Sequence, residues 1–280
     1  MNMFQNSWAL IKASAKVLQA DKELIIFPIL SGFGVFLVTA TFAIPLLTGN
    51  VMEAFLGETG SWLGMLVLFV YYIVQYSVIF LANTALVGAA LIRIRGGDPT
   101  VGDGIRIAFS KLIPILGYAV IAATVGMIMQ VLSRSKSSIA RIAANIFGFA
   151  WNVATFLVVP ILAVEDVGPI EAIRRSVSYL RRTWGEQLVG NFGVGAVFGL
   201  IFFGLILLAI PAFYLASQTE SMAILIGLVV VLVILFAIIG LIQSTLTGIY
   251  TAAVYEYANT GKVGSFFDER LVTGAFRAQR

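Results

Sequence analysis

Apolar residues gather into six long runs, near 24–47, 62–92, 112–132, 142–164, 187–216 and 222–258. A helix needs about 20 apolar residues at ~1.5 Å rise to cross the hydrocarbon core, so each run predicts a transmembrane helix. Spans two and six, at 31 and 37 residues, exceed that need and must tilt, bend or project beyond the bilayer. Period-2 alternation is absent, which argues against an outer-membrane barrel. Three shorter segments of mixed polarity, 4–20, 100–112 and 169–184, precede the first, third and fifth runs. Projected at ~100° per residue, 169–184 aligns Ile170, Ile173, Val177, Leu180 and Trp184 on one stripe. Arg174, Arg175, Arg181 and Arg182 fall opposite it, with Ser178 and Glu171. In 4–20, Phe4, Trp8, Ile11 and Leu18 share an apolar arc against Gln5, Lys12, Lys16 and Gln19. The expected fold is an all-α membrane protein: six transmembrane helices with three cytoplasmic interfacial amphipathic helices.

The same unit recurs. Asp103, Ile105-Arg106, Ser110 and Leu112 lie over Glu171, Ile173-Arg174, Ser178 and Leu180, and Ile11-Lys12 with Leu18 fit more loosely. Pro99 and Pro169 stand at plausible first helical positions, and Asp98 is a good N-cap. Even-numbered spans end alike, at Thr84-Ala-Leu86, Thr155-Phe-Leu157 and Thr247-Gly-Ile249. A threefold internal repeat is expected within one membrane domain, 1–280, with units of about 1–97, 98–167 and 168–262 and a C-terminal tail, 263–280.

Composition agrees with a bilayer setting. The 280 residues are 60% apolar and 11% charged, with a mean hydropathy of +0.98, whereas soluble domains carry roughly 25% charged residues. The charges that remain are sorted by side. Alternate loops hold 15 of the 18 basic residues, and the dissenting loop holds Arg134, Lys136 and Arg141. The positive-inside bias then places both termini and the three amphipathic segments in the cytoplasm of an inner-membrane protein. The net charge of +4 belongs to that side and is not read as a nucleic-acid footprint. Residues 1–22 carry Lys12, Lys16 and Lys22 through an amphipathic stretch, which is not the pattern of a signal peptide.

Candidate chemistry is sparse. Neither cysteine nor histidine occurs, which removes thiolate nucleophiles and the usual zinc sites. The carboxylate pair Glu165-Asp166 reads as a helix-start or loop feature, so neither an enzyme nor a cofactor or metal is expected. No Asp, Glu or Lys sits at mid-depth in a span, which argues against proton-coupled transport. Neutral polar residues do occur there: Gln75, Asn83 and Thr84; Asn145, Asn152 and Thr155; Gln243, Ser244, Thr245 and Thr247. They read as interhelical glue or as the lining of a polar cavity. Gly195 and Gly199, with Gly60 and Gly64, have small-xxx-small spacing. Pro28, Pro45, Pro114, Pro160 and Pro211 predict kinks or broken segments.

Two stretches carry a family resemblance: Ser7-Trp8, Lys12, Ser14, Asp21-Lys22-Glu23-Leu24 and Phe27-Pro28, then Pro160, Glu165, Pro169 and Glu171-Ala-Ile173-Arg174-Arg175-Ser176. The chain resembles an uncharacterised family of bacterial and archaeal six-helix membrane proteins. More distantly, Pro160 to Ser176 is similar to the membrane domain of glycerophosphodiester phosphodiesterases. The resemblance implies six helices with interfacial helices and brings no catalytic residues.

The leading functional reading is a non-enzymatic protein that organises or handles lipids. Its candidate headgroup contacts are Lys12, Lys16, Arg106, Arg174, Arg175, Arg181 and Arg182, with anionic lipids as partners. A second reading is a homo-oligomeric channel or permease for a small solute, with Gln75, Asn83, Asn145, Asn152 and Gln243 lining the path. A third is a scaffold that docks a partner protein through the tail. The absence of native cysteine makes topology directly testable: Arg174→Cys is expected to react with a membrane-impermeant maleimide only from the cytoplasmic side, and labelling from the far side would reverse the orientation.

Overall fold

The computed structural model describes residues 3–48, 61–135, 137–184, 193–219, 221–268 and 272. Lys136, Arg270, Arg277 and Arg280, which enter the charge argument, lie outside them. All regular structure among the described residues is helical: α1 (Met3–Ala20), a 3-10 turn (Lys22–Ile25), α2 (Ile26–Thr48), α3 (Ser61–Ile94), α4 (Val101–Ser110) and α5 (Leu112–Ser133). There follow α6 (Ser138–Thr155), α7 (Val158–Val164), α8 (Pro169–Trp184), α9 (Gly193–Ser217) and α10 (Met222–Thr260). Six stretches are long and apolar enough to cross a membrane: Lys22–Ile44, Gly64–Ile94, Leu112–Ser133, Ser138–Val164, Val197–Ser217 and Met222–Thr260. The protein is an all-α, multi-pass membrane protein, and α1, α4 and α8 are the three amphipathic segments.

The core sits where the ends of the even spans meet. Leu86 and Leu91 of α3, Ile161 and Leu162 of α7, and Ile249 and Tyr255 of α10 are almost fully buried. The peripheral spans turn large side chains outward, among them Phe33, Phe36, Ile128, Leu200 and Phe203, as expected of surfaces that face acyl chains. Small residues let the central helices close up. A side chain at Gly248 of α10 would collide with Leu86 of α3, and one at Gly88 would meet Ile107 of α4 at 2.9 Å. By contrast Gly195 and Gly199 face open space, so their spacing makes no close helix contact among the described residues.

Each amphipathic helix packs on the last span before it, counting cyclically: α4 on α3, α8 on α6 and α7, and α1 on α10, although α1 lies equally against α9. Two positions that the sequence match makes equivalent are buried in all three, namely Leu10 and Ser14, Gly104 with Ala108, and Ala172 with Ser176, while α1 also buries Ile11, Ala13 and Val17. In α8 this differs from the apolar stripe that periodicity predicts. Ile170 and Val177 are exposed, while small Ala172 and Ser176, together with Leu180, face the bundle. Close approach to α7 requires small side chains there, and the larger apolar ones are left for the outside.

Local chemistry sets the helix ends. The N-cap of α4 is Thr100, not Asp98: Thr100 and Asp103 form a reciprocal capping box. Asp98 is drawn away to the guanidinium of Arg93. The bond from Thr100 holds the Asp103 carboxyl below its ordinary pKa. Pro28 and Pro114 fall in first turns, where a missing N–H costs nothing. Pro160 does break its helix. It cannot donate to the carbonyl of Phe156, and span four divides there into α6 and α7. Span six, at 39 residues, runs ~58 Å without interruption and stops at Gly261, whose φ of 71° is the left-handed glycine cap.

A Cβ at Gly104 would overlap the Phe27 ring and stand 2.8 Å from the carbonyl oxygen of Ala85. Gly104→Val is expected to destabilise the bundle by about 1–3 kcal/mol, read as a lower melting temperature in detergent, whereas Gly199→Ala leaves the melt unchanged.

Candidate functional site

The basic residues of the amphipathic helices divide into free and engaged groups. Lys12, Lys16, Arg106, Arg174, Arg181 and Arg182 are exposed. Lys12 lies 5.8 Å from the centre of the Trp8 ring, within cation–π range. Arg106 has only a loose pairing with Asp103, at 3.6 Å, and keeps 81% of its side chain exposed. Arg174, Arg181 and Arg182 make no ion pair among the described residues.

Arg175 is different. Its guanidinium donates to Glu165 at 2.5 Å and to Glu171 at 3.2 Å. These bonds, first to Glu165 and then to Glu171, raise its pKa above the ordinary arginine value. Glu165 also accepts from the hydroxyls of Tyr179 and Tyr255, each at 3.0 Å. Burial, and next the bond to Glu165, push the Tyr179 phenol up. One carboxylate therefore ties the end of α7 to α8 and α10. Beside it Arg95 donates to Glu256 at 2.7 Å, Arg93 to Asp21 at 2.5 Å, and Lys111 to Asp166 at 3.2 Å. This collar of ion pairs joins α3, α5 and α10 at the end of the bundle where the amphipathic helices lie. Sequence reading took Glu165 for a loop residue. Its partners are 10, 14 and 90 residues away, and only the i,i+4 pair of Glu171 with Arg175 was legible.

Beside the collar, an apolar groove of about 220 Å³ opens between α2, α3 and α4. Phe27, Leu30, Leu81, Ala85, Ile105 and Phe109 form its walls. Exposed Arg106 follows Ile105 on the same helix.

The polar residues of the spans fall into two larger cavities. The first, of about 500 Å³, brings together Asn83 of α3 and Gln243, Ser244 and Thr247 of α10, against Val87 and Phe156. The second, of about 510 Å³, has Tyr76 and Phe80 of α3, Tyr118 of α5, and Trp151, Asn152 and Thr155 of α6. Phe156 and Val159 line both, so the break in span four is the wall between them. Asn83 and Gln243 thus converge, and Asn152 faces the adjoining space. Asn145 is exposed on α6, and Gln75 is half-buried with its amide oxygen unpartnered. The seven-residue spacing of Asn145 and Asn152 does not put them in one cavity.

No group of three or more His, Cys, Asp or Glu able to hold a metal occurs among the described residues. At the start of the tail, Phe267 and Val272 are buried against the core.

Comparison with known families matches residues 62–266 to a family of unknown function, DUF6159. The chain belongs to this family. The match begins in α3 and ends beyond α10, so it takes in five spans, α4, α8 and the whole collar apart from Asp21. No curated protein matches the chain.

Replacing Glu165 removes the acceptor from one guanidinium and two phenols. Glu165→Ala is expected to cost about 2 kcal/mol, since bonds to charged groups contribute ~1.5–3 kcal/mol each and the site is part-exposed. Thermal unfolding in detergent measures this; an unchanged melting temperature would show that the collar does not hold α8 in place.

Proposed function

We propose that the protein binds and organises anionic phospholipids in the cytoplasmic leaflet of the inner membrane, without catalysing a reaction. The observation that carries this reading is the groove between α2, α3 and α4, one of whose walls, α4, also bears exposed Arg106. Its walls are apolar and its volume, about 220 Å³, suits part of an acyl chain. Arg106, one residue on from the wall residue Ile105 and exposed, suits the phosphate of a lipid held there, because arginine offers several donors to phosphate oxygens.

The other amphipathic helices support the reading through their exposed faces. On α8, Arg174 and Arg181 do not stand opposite Ile170 and Val177 as the projection predicts, since all four are exposed along one strip, spaced three and four residues apart. On α1, Trp8 and Lys12 stand together. Apolar side chains can enter the headgroup boundary while the cations stay at phosphate level. Each basic residue near an anionic surface contributes about 1 kcal/mol. Arg175 is excluded from this contact set because its carboxylate partners already satisfy it. The cytoplasmic placement follows from the positive-inside bias, and like burial in α1, α4 and α8 supports descent from three repeated units.

Native mass spectrometry of the full chain, released from bilayers containing phosphatidic acid and phosphatidylcholine, tests the proposal. Arg106→Gln combined with Arg174→Gln, Arg181→Gln and Arg182→Gln is expected to lower retained phosphatidic acid about tenfold, a loss of ~1.4 kcal/mol or more. Arg175→Gln should instead lower the melting temperature. Equal retention by wild type and the quadruple variant would overturn the lipid reading.

A further inference from the structure

We infer that the cavity between α3, α7 and α10 is a binding site for an uncharged, hydroxyl-bearing ligand of polyol type. The inference is independent of the basic helices, because none of the residues lining this cavity is charged. A charged ligand would leave water for a site with no counter-ion, at a cost that nothing there offsets. An apolar ligand would face amide and hydroxyl groups that it cannot satisfy. A neutral ligand with several hydroxyls meets both conditions.

The polar groups have the right character. Asn83 and Gln243 approach from different helices, and each side-chain amide can donate and accept. Neither has a hydrogen-bond partner among the described residues. Both lie within membrane spans, with Asn83 eleven residues inside the end of α3, about 16 Å along its axis. Ser244 and Thr247 add hydroxyls from α10. Val87 and Phe156 supply the apolar remainder, which suits the carbon backbone of a polyol. At about 500 Å³ the space falls within the ~300–1,000 Å³ range of small-molecule sites. The adjoining segment is a broken helix, the arrangement that membrane proteins use where backbone lines a cavity.

Such chemistry has two sources, a free polyol or the glycerol end of a neutral lipid, and one pair of assays separates them. Glycerol-driven swelling of phosphatidylcholine proteoliposomes reports the free solute. Retention of diacylglycerol in native mass spectra reports the lipid. Gly240 gives a clean block, because it lines the cavity and a Cβ there meets nothing within 4 Å. Gly240→Leu is expected to keep the wild-type melting curve and its retained phosphatidic acid, while whichever signal the wild type shows falls about tenfold. Gln243→Leu, which removes the amide at similar volume, should do the same and covers the case in which Gly240→Leu fails to fold. If wild type shows neither swelling nor retention, or if both variants match it in each assay, the cavity holds water alone and the inference fails. Because retained phosphatidic acid is recorded alongside, failure here is distinguishable from failure of the lipid reading.

Discussion

The hydroxyl of Ser176 accepts the backbone N–H of Leu157 at 3.1 Å, in a fully buried position. That bond answers the strictest demand a bilayer makes, that backbone polar groups be satisfied inside the protein. Pro160 interrupts the helical ladder of span four, and Phe156 turns back to the carbonyl of Val153, so Leu157 needs another acceptor. A side chain from α8 provides it. Once α8 is docked in this way, Arg175 and Tyr179 stand on the same helix within reach of Glu165, and the collar can close. The break also sets Phe156 as the wall between two cavities. Amphipathic helix, ion-pair collar and intramembrane space therefore share a single cause.

The two ends of the bundle are held by different forces. Within the spans, small residues permit contact and aromatic rings fill the gaps, as in the sequence Tyr76, Phe80 and Tyr118 with centroids 5.7 and 4.5 Å apart. At the basic end, charge does the joining: Arg93 to Asp21, Arg95 to Glu256, Lys111 to Asp166 and Arg175 to Glu165. The Asp21, Glu165 and Glu256 carboxylates are largely buried, whereas Asp166 is exposed, and all but the Arg175–Glu165 pair link segments more than 50 residues apart. Outside these pairs stand Lys12, Lys16, Arg106, Arg174, Arg181 and Arg182, on the outer faces of the amphipathic helices, together with exposed Lys22 and Lys262. Part of the basic charge in the sequence is thus structural, and the exposed remainder is available to a partner.

Long apolar runs and helical periodicity made the spans and the three amphipathic segments legible, because burial in lipid acts on composition over tens of residues. Finer features were not legible. Ala172 and Ser176 form the buried face of α8, yet small side chains carry too little hydropathy to outweigh Ile170 and Val177 in a projection. Asn83 and Gln243 share a cavity across 160 residues of chain, and their meeting depends on helix rotations that no local pattern encodes. Asn145 and Asn152 looked paired by spacing, but α6 has only one fully buried residue, Ala144, and much of it faces outward. Glu165 was visible as a carboxylate at a span end, whereas its role required the turn that brings α8 back beneath α7.

The uninterrupted length of α10 has a mechanical consequence. Gln243 and Thr247 lie mid-way along it, and Tyr255 and Glu256 lie in its last turns, with no proline or bend between. A stiff rod cannot rotate at one of these levels and stay still at the other. Any rotation of α10 about its axis would therefore displace the cavity-lining residues and the collar residues together, although they stand about 20 Å apart along the helix.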